Sequence, residues 1–218
     1  MLHNCSPEIF KINGVGVDLE HFFPLKNENE RIQLRASMGF SLDDFILIYT
    51  AEFIHRKNHR FLFDIFPDLK RKIPNLKVVL CGKGELFEYY RTFAADNNMD
   101  FIIFTGYVRN IVDWCHISDV LVMPSFQEGL PMAMIEAFAT GLPVVASNIR
   151  GHCDVLEDCV NGFLCDMKNR QNFVKAIYVL YKNPSLRSEM GQRNIEKAKL
   201  FSISRTVCEM ENIYNKLM

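Results

Sequence analysis

Five short runs of apolar residues recur along the chain and predict buried β-strands. Each run is almost continuously apolar rather than alternating, which is typical of strands covered on both faces, as in a parallel sheet. The runs span residues 45–50, 76–81, 101–106, 119–125 and 143–147. Segments with helical spacing separate them, and the pattern after residue 166 is helical throughout. The predicted helices span residues 58–73, 85–97, 109–117, 131–140, 168–183, 184–199 and 203–217.

This order of elements predicts the fold class. Strand–helix alternation followed by closing helices indicates an α/β fold of the Rossmann-like, doubly wound type, with a mainly parallel sheet and helices on both faces. Pro67 lies inside the first long helix and is expected to kink or split it. The sequence contains no internal repeat, no low-complexity segment and no linker after residue 25. We therefore predict a single domain over residues 1–218.

Composition and charge exclude several classes of protein. The formal net charge is −1, so nothing favours a nucleic-acid partner held by phosphate electrostatics. No apolar run approaches the ~18 residues that cross a bilayer, and the N-terminus lacks a signal-peptide pattern. A cytoplasmic protein is expected. Seven cysteines without a C-x-x-C pair indicate reduced, mostly buried thiols rather than disulfides or a zinc site.

One strand-to-helix turn has the features of a phosphate site. Ligands of doubly wound folds bind outside the carboxyl ends of the strands, and the turn after the fourth strand reads "FQEGLPM". Gly129 permits backbone conformations closed to other residues, and Pro131 suits the first position of a helix. The amides of Met132 and Ala133 would then point outward without partners, which makes them a seat for a phosphate.

Two glutamates, Glu128 and Glu136, flank that turn and its helix. Glu136 lies among apolar residues about one turn into the helix, where a carboxylate needs hydrogen-bond partners. The vicinal hydroxyls of a ribose would supply them, and so would backbone amides or an arginine elsewhere in the chain. Glu128 is in the loop, where an exposed acid without a function is common.

These residues also resemble a known family. The segment "EGLPMAMIEAFATGLPVVAS" resembles the E-x7-E signature of glycosyltransferase family 4, which consists of retaining enzymes with the GT-B architecture. Further blocks resemble the family in the same order along the chain. They are "GVGVDLEHFFP" (14–24), "HRKNHRFLFDIF" (55–66), "PNLKVVLCGKGEL" (74–86), "FTGYVRNIVDWCHISDVLVMPS" (104–125) and "VLEDCVNGFLCD" (155–166). The match runs from about residue 12 to 217 and is most similar to bacterial exopolysaccharide and capsule enzymes.

The resemblance implies an architecture larger than this chain. Family members have two Rossmann-like halves facing one another across a cleft, and the N-terminal half binds the acceptor. This chain resembles the C-terminal, donor-binding half, with residues 1–24 leading in from a missing N-terminal acceptor domain. The implied partners are a nucleotide-diphosphate sugar, a UDP-sugar in particular, and a saccharide or lipid-linked acceptor. The intact enzyme would be cytoplasmic, with peripheral attachment to the inner face of the membrane as an open possibility.

The resemblance also assigns roles to particular side chains. Lys57 matches the phosphate-contacting lysine, and Glu128 would hydrogen-bond the transferred sugar near its anomeric carbon; both are predicted to be catalytic. Glu136 would hold the ribose 2′ and 3′ hydroxyls. The other predicted donor contacts are Gly82, Val108, Arg109, Gly129, Leu130, Met132 and Ala133. No metal ion and no cofactor are expected, because the lysine and the helix amides would stabilise the charge of the diphosphate.

Two departures from the family pattern bear on the site. Many members carry an arginine five positions before the lysine, whereas this sequence has Glu52, so Arg56 or His55 would have to compensate. In "IRGHCDVLED", Arg150 and Asp154 stand where many members have the first glycine and the glutamate of a Gly-Gly-x-x-Glu pattern.

Plainer interpretations stay open for several of these residues. Lys57 could be a solvated lysine in a basic loop, Arg109 a surface helix residue, and Gly82 a requirement of a tight turn. The i, i+4 spacing of His55 and His59 matches a zinc-binding helix but lacks the general-base glutamate, so we expect His59 to cap or flank a helix.

Three functions compete. The first is the donor domain of a retaining glycosyltransferase for surface polysaccharides. The second is a nucleotide-sugar binding fragment without turnover of its own, and the third is a GT-B-like sugar-nucleotide epimerase. The E-G-L-P turn together with the E-x7-E pattern favours the first over the third.

Overall fold

The computed structural model describes residues 9, 10, 12 and 14–217. Among these residues, six parallel strands form one sheet in the order β3-β2-β1-β4-β5-β6. The strands are β1 (Phe45–Thr50), β2 (Leu76–Cys81), β3 (Ile102–Gly106), β4 (Val120–Met123), β5 (Val144–Ser147) and β6 (Gly162–Cys165). All five predicted strands are present, and β6 was missed.

Helices connect the strands and close the fold. They are α1 (Glu28–Ser37), α2 (His59–Lys72), α3 (Phe87–Asp96), α4 (Ile111–Ile117), α5 (Met132–Ala139), α6 (Arg150–Cys153), α7 (Arg170–Lys182), α8 (Pro184–Ala198) and α9 (Ile203–Leu217). Short 3₁₀ helices occupy His55–Lys57 and Lys199–Phe201. The sequence pattern predicted seven of the helices but neither α1 nor α6.

The strand order creates a crevice at the centre of the sheet. The chain moves outward from β1 to β2 and β3, and then returns to place β4 on the other side of β1. The connections after β1 and β4 therefore leave the same sheet edge in opposite directions, which is the position where doubly wound folds bind ligands. The predicted Rossmann-like, doubly wound fold is confirmed.

Burial on both faces explains the continuously apolar strands. Within β1, Ile46, Leu47 and Ile48 have no exposed surface, and the β4 residues Val120 to Met123 are equally enclosed. Helix α2 covers the sheet beside α7, where Phe61 meets Phe173 edge to face at 5.2 Å between ring centroids. The continuous burial of side chains on both faces is the arrangement expected for a parallel sheet.

The structure differs from two details of the predicted helices. Helix α2 runs unbroken from His59 to Lys72 with Pro67 inside it, so the predicted split does not occur; its neighbours Phe66 and Leu69 are fully buried and hold the helix against the core. Helix α4 begins at Ile111, which places Arg109 in a loop rather than on a surface helix.

Helix α1 escaped the sequence pattern because a polar contact anchors it. The guanidinium of Arg35 donates to Asp119 Oδ2 at 2.8 Å, and that of Arg31 donates to Oδ1 at 2.8 Å. Asp119, just before β4, also accepts from the backbone amide of Ile46 at 2.8 Å. Apolar periodicity does not register such an anchor.

The described cysteines are all free thiols. Cys81, Cys115 and Cys165 are buried, whereas Cys153, Cys159 and Cys208 are exposed. The prediction of mostly buried thiols therefore holds for three of these six. The seventh, Cys5, lies outside the described residues. None of the helices in residues 9, 10, 12 and 14–217 combines the length and the hydropathy of a membrane-spanning segment.

Candidate functional site

The loops that follow β1 and β4 meet through an ion pair. The Nζ of Lys57 lies 2.7 Å from Oε1 of Glu128, and the two side chains are 17% and 6% exposed. The guanidinium of Arg56 approaches the other carboxylate oxygen at 3.5 Å. Because β1 and β4 are neighbours in the sheet, two residues far apart in sequence meet in the central crevice.

Hydrogen bonds join these two loops to each other. The amide of Phe126 donates to the carbonyl oxygen of Arg56 at 2.9 Å, and the Arg56 guanidinium donates to the carbonyl oxygen of Gln127 at 3.0 Å. The side-chain amide of Asn58 donates to Pro124 at 3.0 Å. Asn58 adopts the left-handed conformation, with φ of 54°, where the 3₁₀ helix gives way to α2. The ion pair thus sits on two mutually supported loops.

Tyr49 hydrogen-bonds to the main chain of Lys57, one member of the ion pair. Its hydroxyl donates to the backbone carbonyl of Lys57 at 2.7 Å and lies 3.1 Å from the hydroxyl of Ser125. Burial raises the pKa of Tyr49 well above its usual value, so the phenol remains a neutral donor. This contact fixes the main chain at Lys57 from the end of β1.

His152 extends the same buried layer. The Ser147 hydroxyl donates to the carbonyl oxygen of Ser125 at 2.6 Å, and Nδ1 of His152 lies 2.9 Å from the carbonyl oxygen of Ser147. Since a carbonyl only accepts, Nδ1 carries the hydrogen and Nε2 is the acceptor nitrogen. Nε2 has no partner among the described residues, and burial lowers the pKa of the imidazole.

Helix α6 packs its backbone directly against the Glu128 turn. A Cβ on Gly151 would lie 2.5 Å from the carbonyl oxygens of both Glu128 and Gly129. Only glycine fits at this distance, so α6 fixes the position of the turn. The sequence predicted none of the four supporting residues Tyr49, Ser125, Ser147 and His152, nor this glycine contact, although the polar residues at strand ends were a signal.

Glu136 lies on α5 without joining the ion pair. It is partly buried, and its carboxylate has no hydrogen bond or ion pair among the described residues. Burial raises its pKa, and the nearby charge of His21 opposes that shift. Lys57, Glu128 and Glu136 were all assigned to the donor. The structure brings Lys57 and Glu128 into contact and leaves Glu136 outside this ion pair.

The start of α5 differs in detail from the prediction. Pro131 is the N-cap rather than the first helical residue, and the Met132 amide donates to the carbonyl of Leu130 at 3.0 Å, so it is not free. The Ala133 amide has no acceptor among the described residues. Gly129 has no positive φ, and a Cβ there would meet nothing within 4 Å, so its special backbone conformation was wrongly predicted.

The remaining predicted donor contacts lie on the same sheet edge. Gly82 follows β2 with φ of 136°, and a Cβ there would lie 2.0 Å from the carbonyl oxygen of Ala51, so the turn itself requires glycine. Val108 is partly buried and Arg109 is exposed in the loop after β3. Leu130 covers Gly14, whose Cβ would lie 2.2 Å from the leucine Cδ2.

His59 is a buried core residue at the start of α2. It is the first residue of α2 after the N-cap Asn58, it is 1% exposed, and its ring stacks on Phe53 with centroids 4.0 Å apart. Neither ring nitrogen has a partner among the described residues. Burial lowers its pKa to about 3. The described part of the chain also contains no cluster of three metal-ligating side chains.

A cavity of about 540 Å³ lies at the opposite edge of the sheet. Arg31, Asp119 and Arg187 line it, with residues that precede β5 and begin α8. Asp119 and Pro143 precede their strands, so this is the amino edge, away from the ion pair. We attribute this cavity to the packing around the Asp119 anchor and not to the site.

A family model described as "Glycosyl transferases group 1" matches residues 30–197. The chain belongs to this family. This membership confirms the resemblance found in the motifs.

Named relatives extend over most of the chain but not over their own full length. The putative glycosyltransferase EpsD of Bacillus subtilis is 37% identical over 95% of this chain and 55% of its own sequence. The UDP-Gal:alpha-D-GlcNAc-diphosphoundecaprenol alpha-1,3-galactosyltransferase of Escherichia coli is 26% identical over 98% of this chain and 58% of its own. The chain therefore spans little more than half the length of these relatives.

Solved structures share the fold of this glycosyltransferase group 1 chain. Anabaena Alr3699/HepE in complex with UDP and glucose superposes with a TM-score of 0.78 at 19% identity, covering 93% of this chain and 55% of that one. The C-terminal domain of the group 1 protein LpcC from Francisella tularensis gives a TM-score of 0.72 at 21% identity, covering 84% and 97%. At these identities the likeness shows the fold, that of GT-B glycosyltransferase domains.

Proposed function

We propose that this chain is the donor-binding half of a retaining glycosyltransferase. In this proposal the intact enzyme transfers a sugar from a UDP-sugar to a saccharide or lipid-linked acceptor during surface polysaccharide synthesis. The observation that carries it is the 2.7 Å Lys57–Glu128 pair, which sets a cation and an acid side by side in the central crevice of a doubly wound sheet.

The ligands named for similar proteins support a UDP-sugar donor. The E. coli relative is described by a UDP-Gal donor and a diphosphoundecaprenol-linked acceptor. The Anabaena protein with the same fold was crystallised with UDP-glucose as well as with UDP and glucose. EpsD carries only a general description as a glycosyltransferase, so the sugar itself is left open in this proposal.

Lys57 and Arg56 would neutralise the diphosphate together. As UDP leaves, negative charge grows on the β-phosphate, and cations and free amides placed in advance stabilise it. Arg56 lies 3.5 Å from the same carboxylate as Lys57, so it is placed to replace the family arginine whose position is Glu52 here. The Ala133 amide at the start of α5 would add a third donor. In this proposal, the diphosphate is stabilised without a metal ion or cofactor.

Donor binding would exchange the partners of the ion pair. In the free protein the ammonium of Lys57 and the carboxylate of Glu128 satisfy each other. When a nucleotide sugar enters, Lys57 turns to the diphosphate, and Glu128 accepts hydrogen bonds from sugar hydroxyls near the anomeric carbon. The pair thereby holds both catalytic side chains in the crevice before the donor arrives.

Glu136 would bind the ribose. Its carboxylate is partly enclosed by α5 and lacks a partner among the described residues, so two vicinal hydroxyls would satisfy it at little cost. Gly82, Val108 and Arg109 would approach the base from the loops after β2 and β3. Gly129, Leu130 and Met132 would contribute main-chain contacts around the turn.

Thermal unfolding with nucleotides and nucleotide sugars tests this proposal. A ligand present at 100 times its dissociation constant adds ~2.7 kcal/mol of stability, so UDP and a UDP-sugar should raise Tm clearly. The shift should persist in EDTA. If no nucleoside diphosphate raises Tm, the donor-site assignment is wrong; if the shift needs a divalent metal, the metal-free neutralisation is wrong.

We propose as a second candidate function that this chain binds nucleotide sugars without turnover of its own. It spans 55% of EpsD and 58% of the E. coli relative, and the proposed donor contacts all lie within it. Adding the N-terminal half of a relative in trans separates the two functions. Transferase activity in the mixture supports the first function, and nucleotide-sugar binding without activity supports the second. The same complex, incubated with vesicles, tests peripheral membrane attachment.

A further inference from the structure

Two exposed rings stack on each other beside the ion pair. His55 and Phe126 have ring centroids 5.7 Å apart and planes inclined by 29°. Phe126 is 52% exposed, and His55 is also exposed. An exposed phenylalanine held in place by a second ring offers a flat apolar surface with a defined orientation to a ligand. We refer to His55 and Phe126 as the stacking pair.

The stacking pair belongs to the same framework as Lys57 and Glu128. Each ring stands two residues before a member of the ion pair, one on the loop after β1 and the other on the loop after β4. The backbone hydrogen bond from Phe126 to Arg56, at 2.9 Å, lies between the two contacts. The rings are therefore fixed relative to the Glu128 carboxylate and do not depend on a long flexible loop.

Polar side chains border the two rings. The Arg56 side chain is 45% exposed, and Gln127 is exposed next to Phe126. A ring face edged by amide and guanidinium donors matches a pyranose, which has a face of polarised C–H groups and a rim of hydroxyls. The exposed guanidinium and side-chain amide beside the rings favour a saccharide. Aromatic and Arg side chains also occur at protein–protein interfaces, so a protein contact is one outcome of the test.

We propose that the stacking pair is a saccharide subsite that packs against one face of a pyranose ring. This inference rests on the proposed function, because it places the sugar beside Glu128, and it adds a contact that neither the motifs nor the family assignment supplied. The ring is either the sugar of the nucleotide donor or a unit of the acceptor. Both present the same C–H face to the exposed ring of Phe126, which His55 backs from the other side.

Binding measurements on the 218-residue chain distinguish these two sources. One arm measures the ratio of the dissociation constants of UDP and of UDP-glucose, UDP-galactose or UDP-N-acetylglucosamine. The other arm measures methyl glucosides and galactosides by saturation-transfer NMR, with and without saturating UDP. The variants are Phe126→Ala, Phe126→Tyr, which keeps the ring, and Tyr214→Ala as a control, since Tyr214 on α9 is 56% exposed.

The proposal predicts a loss confined to the sugar. Phe126→Ala should lower, at least fivefold, either the ratio of the dissociation constant of UDP to that of the UDP-sugar or the affinity for the methyl glycosides. Phe126→Tyr and Tyr214→Ala should leave both quantities close to those of the wild type. A loss of preference for the UDP-sugar would show that the stacking pair binds the donor sugar. A loss of methyl glycoside affinity would show that it binds a unit of the acceptor. If Phe126→Ala changes neither arm, the stacking pair is not a saccharide subsite.

Different results would overturn the saccharide subsite and the proposed function. If the wild-type chain does not bind UDP at all, the proposed function is wrong, and the methyl glycosides without UDP still test the stacking pair. If UDP binds but Phe126→Ala changes neither the preference for the sugar nucleotide over UDP nor the binding of the methyl glycosides, only the saccharide subsite is overturned. Burial of Phe126 against an added N-terminal half, with saccharide binding unchanged by Phe126→Ala, would show a protein contact and overturn it as well.

Discussion

The ammonium of Lys57 lies 2.7 Å from the carboxylate of Glu128. Both side chains are largely enclosed, at 17% and 6% exposure. A buried ion pair has a desolvation cost that can equal its attraction, so it is weak evidence for stabilisation alone. Its position in the crevice agrees better with a site in which each partner later exchanges the other for part of a ligand.

Glu128→Gln should strengthen UDP binding in the isolated chain. With the carboxylate gone, Lys57 and Arg56 are freed for the diphosphate, and we expect a severalfold lower dissociation constant. The free chain should become less stable at the same time, because Lys57 loses its partner in a mostly enclosed position. Isothermal titration and denaturant unfolding measure the two effects.

The exposed glutamate Glu85 provides the control for net charge. Glu85→Gln removes one negative charge from the same sheet edge without releasing Lys57. If this substitution strengthens UDP binding as much as Glu128→Gln does, the effect is general electrostatics. Weaker UDP binding in Glu128→Gln would contradict the exchange of partners.

Glu136→Gln should separate stability from binding. Burial raises the pKa of Glu136, so the ionised carboxylate is disfavoured in the free fold, and its removal should raise Tm. UDP binding should weaken by about 1.5–3 kcal/mol, the range for a hydrogen bond to a charged group. Thermal unfolding and titration calorimetry check the two signs.

A modified ligand tests whether Glu136 contacts the ribose. 2′-deoxy-UDP should bind the wild-type chain more weakly than UDP, and the difference should shrink in Glu136→Gln. Equal discrimination in the two proteins would place the ribose elsewhere.

His59→Phe should flatten the pH dependence of stability. The pKa of His59 falls from 6.5 in the unfolded chain to about 3 in the fold because of burial. Between these values the unfolded state binds the extra proton, so stability is complete above pH 6.5 and declines as the pH falls towards 3. The loss from this imidazole reaches about 4–5 kcal/mol at the acid end.

Urea unfolding at pH 5 and pH 8 makes the comparison. His59→Phe keeps an aromatic ring against Phe53 and removes the unpartnered nitrogens, so its advantage over wild type should be larger at pH 5. His55→Phe, at an exposed position, controls for loss of an imidazole elsewhere. An equal gain at both pH values would mean that His59 is not the buried titrating group.

Gly151→Ala should disturb the Glu128 turn. The new methyl group would lie 2.5 Å from the carbonyl oxygens of Glu128 and Gly129, and overpacking of this kind costs about 1–3 kcal/mol. Gly129→Ala is the matched control, because a Cβ there meets nothing within 4 Å. Denaturant unfolding should show a loss for the first and nearly none for the second; equal behaviour would contradict the packing of α6 on the turn.

The strands were predictable because a strand that is buried on both faces has a continuous run of apolar residues. Strand β6 was missed because it reads GFLC and its two central residues are only partly buried, so it lacks the continuous apolar run that burial on both faces gives β4 and β5. Helix α1 was missed for a different reason. The ion pair of Arg35 with Asp119 holds it in place, and a search for apolar periodicity does not detect a polar contact.

The site was partly predictable. The resemblance assigned Lys57 and Glu128 to one ligand, and the structure shows the two side chains in contact. The support from Tyr49 and His152 was not predictable, because it depends on which buried hydroxyls and ring nitrogens face each other after folding. Glu136 was identified as an acid in apolar surroundings, but the pattern could not show that it lacks a partner.

The proposed function depends on Lys57 binding the diphosphate of a nucleotide, and a pair of titrations measures this contact. UDP and uridine are titrated into the wild-type chain and into Lys57→Ala. We predict that UDP binding weakens by about 1.5–3 kcal/mol, a tenfold or greater loss, whereas uridine, which has no phosphate, binds both proteins alike. Equal affinity of the two proteins for UDP would contradict the account.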